Sequence, residues 1–434
     1  MFIKSSQWLE KSLLMLTDSM LSFFCIYLSV NLFPPEWQTR YLTIGIVGAL
    51  VFVIIANYHN LYQKISSQNL YETAIKLTQI WLLIGLVTIN IAFLVRDTEN
   101  LARNILLVWM VVTPIVLLCT RLLLKMVIPK KAINILMIGD EYSFTSHELN
   151  QLKLQKISLI KCNNTDIKTI KFALSKNTAH RILINIHDPN ASLTQYITQI
   201  NLSGIMSYTL GHFMEHYLCK CYIPYDANGL QYLDNIKPYT KSQLLIKAVI
   251  DYLGAILLSL ASIPFVLFIA YKIRRQSPGD IVYEQRRVGK DNREFVLKKF
   301  RSMDPNAEKQ GARFASKNDA RVFPFGEVMR KTRIDELPQF FNILKRDIHF
   351  VGPRAERQVF IKNLELEIPY YNNRHIVKPG ITGWAQVNYP YGANIEDARQ
   401  KLMFDLYYIK NWSLALELET LVKTIKVVLA KQGV

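Results

Sequence analysis

Lys331-Thr-Arg-Ile-Asp-Glu-Leu-Pro-Gln339 sets two adjacent carboxylates, Asp335 and Glu336, in front of an apolar pattern. Leu337, Phe340, Phe341 and Leu344 recur at the spacing of one helix face, which predicts a helix beginning at the acidic pair. Pro338 falls in the first turn, where a missing N–H costs little. Adjacent helix positions point roughly 100° apart, so the two carboxylates can do different work. Alone, the pair also fits plain capping, with Asp335 as N-cap and Glu336 complementing the helix dipole. The rest of the chain bears on that choice.

The 434 residues suffice for two or three domains. Half are hydrophobic and 20% charged, the balance of a membrane part joined to a soluble part. A formal charge of +18 suits nucleic acid, anionic lipid or phosphorylated ligands. There is no zinc-finger spacing and no basic arm free of hydrophobic spans. The expectation is a membrane-bound protein with phosphate-bearing ligands and no nucleic acid. Of five cysteines, Cys25 and Cys119 sit in apolar runs and Cys162, Cys219 and Cys221 in the middle. Cys219-Lys-Cys221 is not a CxxC pair, so reduced thiols are expected.

Four apolar runs open the chain, Leu13 to Phe33, Tyr41 to Asn57, Leu77 to Val95 and Ile105 to Ile128. Each approaches the ~20 residues that cross a hydrocarbon core. No small-residue cleavage pattern follows the first, which reads as a retained span. Asp18 and Arg121 interrupt the first and last, and such groups face a neighbouring helix or an interface. Lys4, Lys11, Lys64, Lys76, Lys125, Lys130 and Lys131 contrast with loops that mix Glu36 with Arg40, and Asp97 and Glu99 with Arg96 and Arg103. The positive-inside rule places both ends of this bundle in the cytoplasm.

From Ala132 the texture changes. Ile133 to Gly139, Arg181 to His187 and Gly204 to Leu210 read as strands with helical patterns between them. That alternation predicts a small parallel α/β domain up to about Leu233. Gly139-Asp-Glu-Tyr-Ser-Phe carries one glycine where a dinucleotide site needs several, so a Rossmann-like module without NAD is expected. An apolar stretch from Lys247 to Tyr271 then contains Ser262-Ile-Pro264. Cations lie on both sides, Lys247 before and Lys272, Arg274 and Arg275 after. With a proline bend, this predicts a re-entrant helix that returns to the same membrane face. An ordinary fifth span would put everything after Ile273 outside the cell.

Ile281 to Val288 and Arg293 to Phe300 read as strands around Gly289-Lys-Asp-Asn. Their Arg286, Arg287, Lys290, Arg293, Lys298, Lys299 and the following Arg301 form either a solvated face or a headgroup contact. In Asp347-Ile-His-Phe-Val-Gly-Pro-Arg354 the Gly352-Pro353 turn brings Arg354 back towards the preceding helix, as a phosphate partner or a structural ion pair. Tyr370 to His375 and Lys378 to Asn388 are rich in turns and hydrogen-bonding groups, more typical of a site than of a linker. Lys401 to Trp412 mixes lysines with aromatics, which suits an interfacial helix or a core-facing one.

From Lys247 onward these residues resemble the bacterial sugar transferases, the monotopic polyprenyl-phosphate phosphoglycosyl transferases. The resemblance is carried by Lys247 to Asp251, the Pro264 break, Ser277-Pro-Gly279, Gln285-Arg-Arg-Val-Gly289, Lys299-Phe-Arg-Ser-Met303, Ile334-Asp-Glu-Leu-Pro-Gln339, Val351-Gly-Pro-Arg354, Lys378 to Asn388 and Asp405-Leu-Tyr-Tyr-Ile-Lys-Asn411. By architecture the whole chain is similar to the long exopolysaccharide-type members. This implies a four-span bundle in residues 1–131, a Rossmann-like α/β module in 132–240 and a catalytic α/β domain in 241–434, with a re-entrant membrane hairpin at about 247–272.

The resemblance also implies a reaction. A hexose-1-phosphate passes from a UDP-sugar to undecaprenyl phosphate, UMP is released, and exopolysaccharide synthesis begins. Asp335 would be the nucleophile and form a phosphosugar–aspartyl intermediate, with Glu336 holding Mg²⁺. Arg354 would bind a phosphate with Lys299 and Arg301 nearby, and Arg374 and Gln386 would touch uridine or phosphate. Lys247, Asp251, Ser262 and Pro264 would build the hairpin. Ile263 stands where the family often has serine before the proline, and Lys345-Arg346-Asp347 lacks a common glycine. The implied setting is the bacterial inner membrane, with the catalytic domain on its cytoplasmic face among membrane lipids. Glucose and galactose are the expected sugars, and a homodimer and downstream glycosyltransferases or export machinery the expected partners. Two other classes compete. One is an inactive membrane scaffold for polysaccharide assembly or export. The other is a nucleotide-sugar dehydratase or epimerase, against which the missing glycine fingerprint and Tyr-x-x-x-Lys pair both count.

Overall fold

The apolar runs fold as four helices, α1 (Phe2–Asn31), α2 (Gln38–Tyr58), α3 (Leu70–Leu94) and α4 (Asn100–Val127). The computed structural model describes residues 2–32, 38–62, 70–94, 100–127, 132–176, 179–186, 188–225, 235–305, 307, 319–389, 392 and 394–430. Residues 1–131 and 132–434 form two units. In the first, the two charges that interrupt apolar runs find each other. Arg121 on α4 meets Asp18 on α1 at 2.5 Å, and both are almost fully buried. Phe52 stacks on Trp81 with ring centroids 5.1 Å apart, and Trp81 meets Trp109 edge-on at 5.0 Å, all three buried. Gly48 on α2 leaves room for the Trp109 ring of α4, because a Cβ there would lie 2.5 Å from that ring. The outward positions, among them Leu16, Leu50, Leu86 and Leu123, are exposed and apolar. The flanking Glu36, Lys64, Arg96, Asp97, Glu99, Lys130 and Lys131, and the side chains of Lys4, Arg40 and Arg103, lie outside the described residues.

By length and composition, four described helices can cross a bilayer: α1, α3, α4 and the later α9. The apolar part of α2, Gly45–Tyr58, is shorter.

The second unit opens with β1 (Ile133–Ile138), α5 (Ser146–Leu154), β2 (Ile157–Cys162), α6 (Ile167–Lys176), β3 (Arg181–Ile184), α7 (Ala191–Leu202), β4 (Met206–Thr209) and α8 (Leu210–Phe213), then a π-turn over Met214–Leu218. The sheet is parallel in the order β2-β1-β3-β4. Sequence reading missed β2, an edge strand with Ser158 and Lys161 among its apolar residues. His187 lies outside the described residues. Parallel strands bury both faces. Leu136 and Ile138 pack with Ile170, Leu193 and Ile197 of α6 and α7. Ile135 and Met137 point the other way, into a core that continues through Ile343, Trp384 and Phe404 of the C-terminal part. The two segments read from sequence as separate modules thus share one core.

The C-terminal part follows as α9 (Lys241–Gln276), β5 (Val282–Val288), β6 (Glu294–Phe300), α10 (Pro324–Thr332), α11 (Gln339–Leu344), β7 (His349–Val351), α12 (Gln358–Glu367), β8 (Gly380–Thr382), α13 (Trp384–Asn388), α14 (Ile395–Lys410) and α15 (Leu414–Leu429). Helix α9 runs for 36 residues with Pro264 inside it. Its buried positions fall towards the two ends, Lys247, Asp251 and Ala255 in the first half and Ile269 and Ile273 near the C-terminus. Between them Leu257, Leu260, Ile263, Phe265 and Leu267 are exposed. Lys247 is fully buried, with its ammonium on the Val351 carbonyl, Tyr408 Oη and Glu417 at 2.8–3.0 Å. Asp251 accepts from Phe350 N at 2.9 Å and pairs with His349 at 2.5 Å. Near the helix C-terminus, Ile269 and Ile273 pack on Phe300, Phe323 and Met329. Ser262 Oγ donates to the Ser259 carbonyl at 2.9 Å. The carbonyl that Pro264 leaves without its helical N–H is that of Leu260, four residues back.

Residues 401–412 take the core-facing alternative. Leu402, Met403, Phe404, Leu406, Tyr408, Ile409 and Trp412 are all buried.

Candidate active site

Helix α10 ends at Arg333, whose left-handed backbone (φ 56°) turns the chain into a 3-10 turn over Ile334–Glu336. Asp335 and Glu336 therefore sit in a tight turn between two short helices and do not begin one. Pro338 is the N-cap of α11 rather than a first-turn residue, and α11 has only six residues. Its buried side is Gln339, Asn342 and Ile343, while Phe341 is exposed. The polar Asn342 is buried because it completes the edge of β6. Its amide donates to Val296 O at 2.7 Å and accepts from Lys298 N at 3.1 Å. This clamp sets the acidic turn beneath Lys299.

The β5–β6 hairpin explains which cations reach the site. Tyr283 pairs with Lys299, Gln285 with Leu297 and Arg287 with Phe295. Alternation then turns Tyr283, Gln285, Arg287 and Lys299 to the cleft. Glu284 and Lys298 form an exposed cross-strand pair, and Arg286 is 80% exposed. The basic run is thus divided between cleft and solvent.

Glu336 is gripped from three sides. Lys299 Nζ donates to Oε1 at 3.1 Å, Arg354 Nη1 lies 3.6 Å from Oε1, and Arg333 Nη1 lies 3.5 Å from Oε2. Burial works against its charge, but Lys299, Arg354 and Arg333 prevail and hold the carboxyl well below the usual range. Asp335, also buried, accepts no hydrogen bond among the described residues. Burial, with the neighbouring Glu336 charge, pushes its carboxyl up to about 6 against the pull of Lys299. Two adjacent carboxylates thus occupy opposite electrostatic environments, the pattern that separates roles in paired-acid sites. Arg333 belongs to the opening stretch but was not read as a site residue. Its position three residues before Glu336 was the available signal.

Arg354 is held from behind. Gly352 N donates to Thr382 O and Gly380 N to Pro353 O, 2.9 and 3.0 Å. A Cβ at Gly380 would collide with the Gly352 backbone, so only glycine permits this approach. Buried Arg374 donates to the Arg354 carbonyl at 2.8 Å, to Tyr371 Oη at 2.7 Å, and pairs with Asp405 at 2.9 Å. Its guanidinium braces the Arg354 loop. Arg301 likewise turns away from the acidic pair. Its guanidinium donates to the carbonyls of Ser277 and Pro278 and so caps the turn after α9. Gln386 lines the cleft with its amide nitrogen on Ile381 O at 3.4 Å, while its buried Oε1 has no partner.

The cleft measures about 1080 Å³ and is lined by ten cationic side chains against five carboxylates among the described residues. Such a surface attracts a polyanion. Lys247, Asp251, Ser262 and Pro264 belong to α9 and do not line it.

A family model described as bacterial sugar transferase matches residues 242–431. A second, described as a CoA-binding domain, matches 58–134, which here covers α3 and α4 and only the start of β1. An Aeromonas hydrophila UDP-N-acetylgalactosamine-undecaprenyl-phosphate N-acetylgalactosaminephosphotransferase is 48% identical over 188 residues, 43% of this chain and 44% of that protein. A Xanthomonas campestris pv. campestris UDP-glucose:undecaprenyl-phosphate glucose-1-phosphate transferase is 40% identical over 182 residues, 41% of this chain and 37% of the relative. The chain thus matches less than half of either relative's length. An uncharacterized sugar transferase of Bacillus subtilis (strain 168) is 35% identical over 191 residues, which make up 44% of this chain and 91% of that protein. With nearly all of one relative covered, and the acidic turn and its cations inside the matched residues, the chain belongs to the bacterial sugar transferase family.

Proposed function

We propose that the protein transfers a hexose-1-phosphate from a UDP-sugar to undecaprenyl phosphate. The observation that carries this reading is the contrast between Asp335 and Glu336. A nucleophile needs an unoccupied carboxylate in a cleft that tolerates diphosphate charge, and Asp335 has that setting. An Asp335 oxygen attacks the β-phosphorus of the UDP-sugar. The bond from that phosphorus to the bridging oxygen breaks, and UMP leaves. An oxygen of undecaprenyl phosphate then attacks the same phosphorus, the bond to Asp335 breaks, and the diphosphate-linked sugar departs. Arg354 and Lys299 neutralise the phosphate oxygens, while Arg374 and Arg301 support the loops that carry them.

Glu336 fits a divalent cation. Its Oε2 is buried without a hydrogen bond, and no cluster of three ligating side chains occurs among the described residues. Mg²⁺ characteristically takes one or two carboxylates and completes its shell with substrate phosphate and water. Bound at Glu336, Mg²⁺ would screen the diphosphate against the incoming carboxylate.

The membrane reading follows from α9. Both its ends pack on the same unit, and its middle is apolar and exposed, as a re-entrant helix requires. The four-helix unit would span the inner membrane, and the transferase cleft would face the cytoplasm, where nucleotide sugars are made. UDP-N-acetylgalactosamine, UDP-glucose and UDP-galactose are the donors to test first. Asp335→Asn should abolish UMP release from membrane-reconstituted protein given undecaprenyl phosphate and Mg²⁺. Persistent release by that variant would remove Asp335 from the chemistry.

A further inference from the structure

The parallel-sheet module reaches the transferase cleft through His147, the second residue of α5. Its Nε2 lies 2.9 Å from the carbonyl of Asn388, the last residue of α13, to which it donates as the Nε2–H tautomer, with the Gln151 side-chain amide 3.0 Å from the same nitrogen. Its ring meets Tyr389 edge-on at 5.7 Å. At the other end of α13, the Trp384 indole donates to the carbonyl of Cys219, just after the π-turn of the same module, at 2.9 Å. The module thus holds both ends of a five-residue helix. Between them lies Gln386, whose buried Oε1 has no partner.

The platform beneath His147 is rigid. Thr145 and Glu148 form a capping box at the start of α5. Glu148 also accepts from Tyr142 Oη at 2.7 Å and pairs with buried Lys220. Lys220 donates on to Gln400 of α14 at 2.7 Å, and Gln400 returns to Tyr142 Oη at 2.8 Å. A closed, buried polar network of this kind fixes geometry at both of its ends.

We propose that the sheet module is a working part of the transferase cleft: it fixes α13 at both ends and so sets where the Gln386 side chain, which lines the cleft, meets the nucleotide sugar. This rests on the transferase reading above. His147 and Trp384 are positioning residues. Loss of either hydrogen bond loosens α13 and weakens donor binding, while the Asp335 chemistry is untouched.

The test uses the full chain in membranes, with KM and kcat measured by UMP release and UMP affinity measured separately. His147→Ala and Trp384→Phe should each raise KM for the UDP-sugar about three- to tenfold, the effect of one lost hydrogen bond, with kcat within about twofold. His147→Gln, which restores a side-chain N–H, should recover most of the loss. Gln386→Ala should raise KM alike, and His147→Ala added to it should cost nothing further. UMP affinity falls in parallel if Gln386 meets the uracil and holds if it meets the sugar. Asn190→Ala removes the cap of α7, which bonds Leu193 N at 2.9 Å away from α13, and should lower thermal stability without moving KM. Additive effects of His147→Ala and Gln386→Ala, a fall in kcat at unchanged KM, or an equal KM rise from Asn190→Ala would overturn the proposal. A wild type without turnover on any UDP-sugar overturns the transferase reading instead, and UDP-sugar affinity unchanged across the variants would then remove the positioning role too.

Discussion

Asp335 illustrates how a buried carboxylate beside a second one is kept at a cost to the fold. Its carboxyl, raised from 3.8 to about 6, holds a proton more tightly in the folded chain than in the unfolded one. Relative stability from this group is therefore full below about pH 4 and is lost as pH rises through about 6. At neutral pH the buried charge is a penalty. Asp335→Asn should accordingly raise the melting temperature at pH 7.5 by about 2–5 °C, and the gain should shrink to nothing towards pH 4. Melting curves of the two proteins across that range test it. A variant that melts lower at every pH would mean that the carboxylate supports the fold. Part of the site was legible in sequence. Asp335, Glu336, Lys299 and Arg354 were picked out and do converge. Arg301 and Arg374 were picked with them, yet serve backbone carbonyls and Asp405. The identity of their partners, up to 31 residues away, cannot be read from local spacing.

At the level of elements, period and length governed what could be read. The long apolar runs and the β5–β6 hairpin announced themselves, because two turns or more of pattern outweigh local noise. The six-residue α11 and the polar edge strand β2 gave too little pattern. Asn342, which completes a strand edge with its side chain, gave none at all. Helix α9 carries the sharpest test. Single cysteines at Lys241 and Gln276, in a chain freed of its native thiols, should react with an impermeant maleimide from the same side of sealed vesicles. Labelling from opposite sides would make α9 a span and abolish the re-entrant reading.

In the molecule as a whole, the four-helix unit and the transferase unit make separate demands on stability. Arg121→Ala would strand Asp18 inside the bundle, a loss of about 3–5 kcal/mol for a broken buried pair. Folded, membrane-inserted protein should fall severalfold and recover when Asp18→Asn removes the second charge. UMP release per folded molecule should stay at the wild-type level. A parallel fall would mean that the bundle sets the geometry of the cleft. The second unit resists division in another way. Cys221 N bonds Met403 O at 2.9 Å and Arg399 bonds Ile223 O at 2.7 Å, so residues before 241 complete the inner surface of α14. The stretch that evolution shares among relatives and the stretch that folds as one body therefore have different edges here. A chain trimmed to the shared stretch would keep every residue of the acidic turn, yet it would lay bare the back of the helix on which Arg374 finds Asp405.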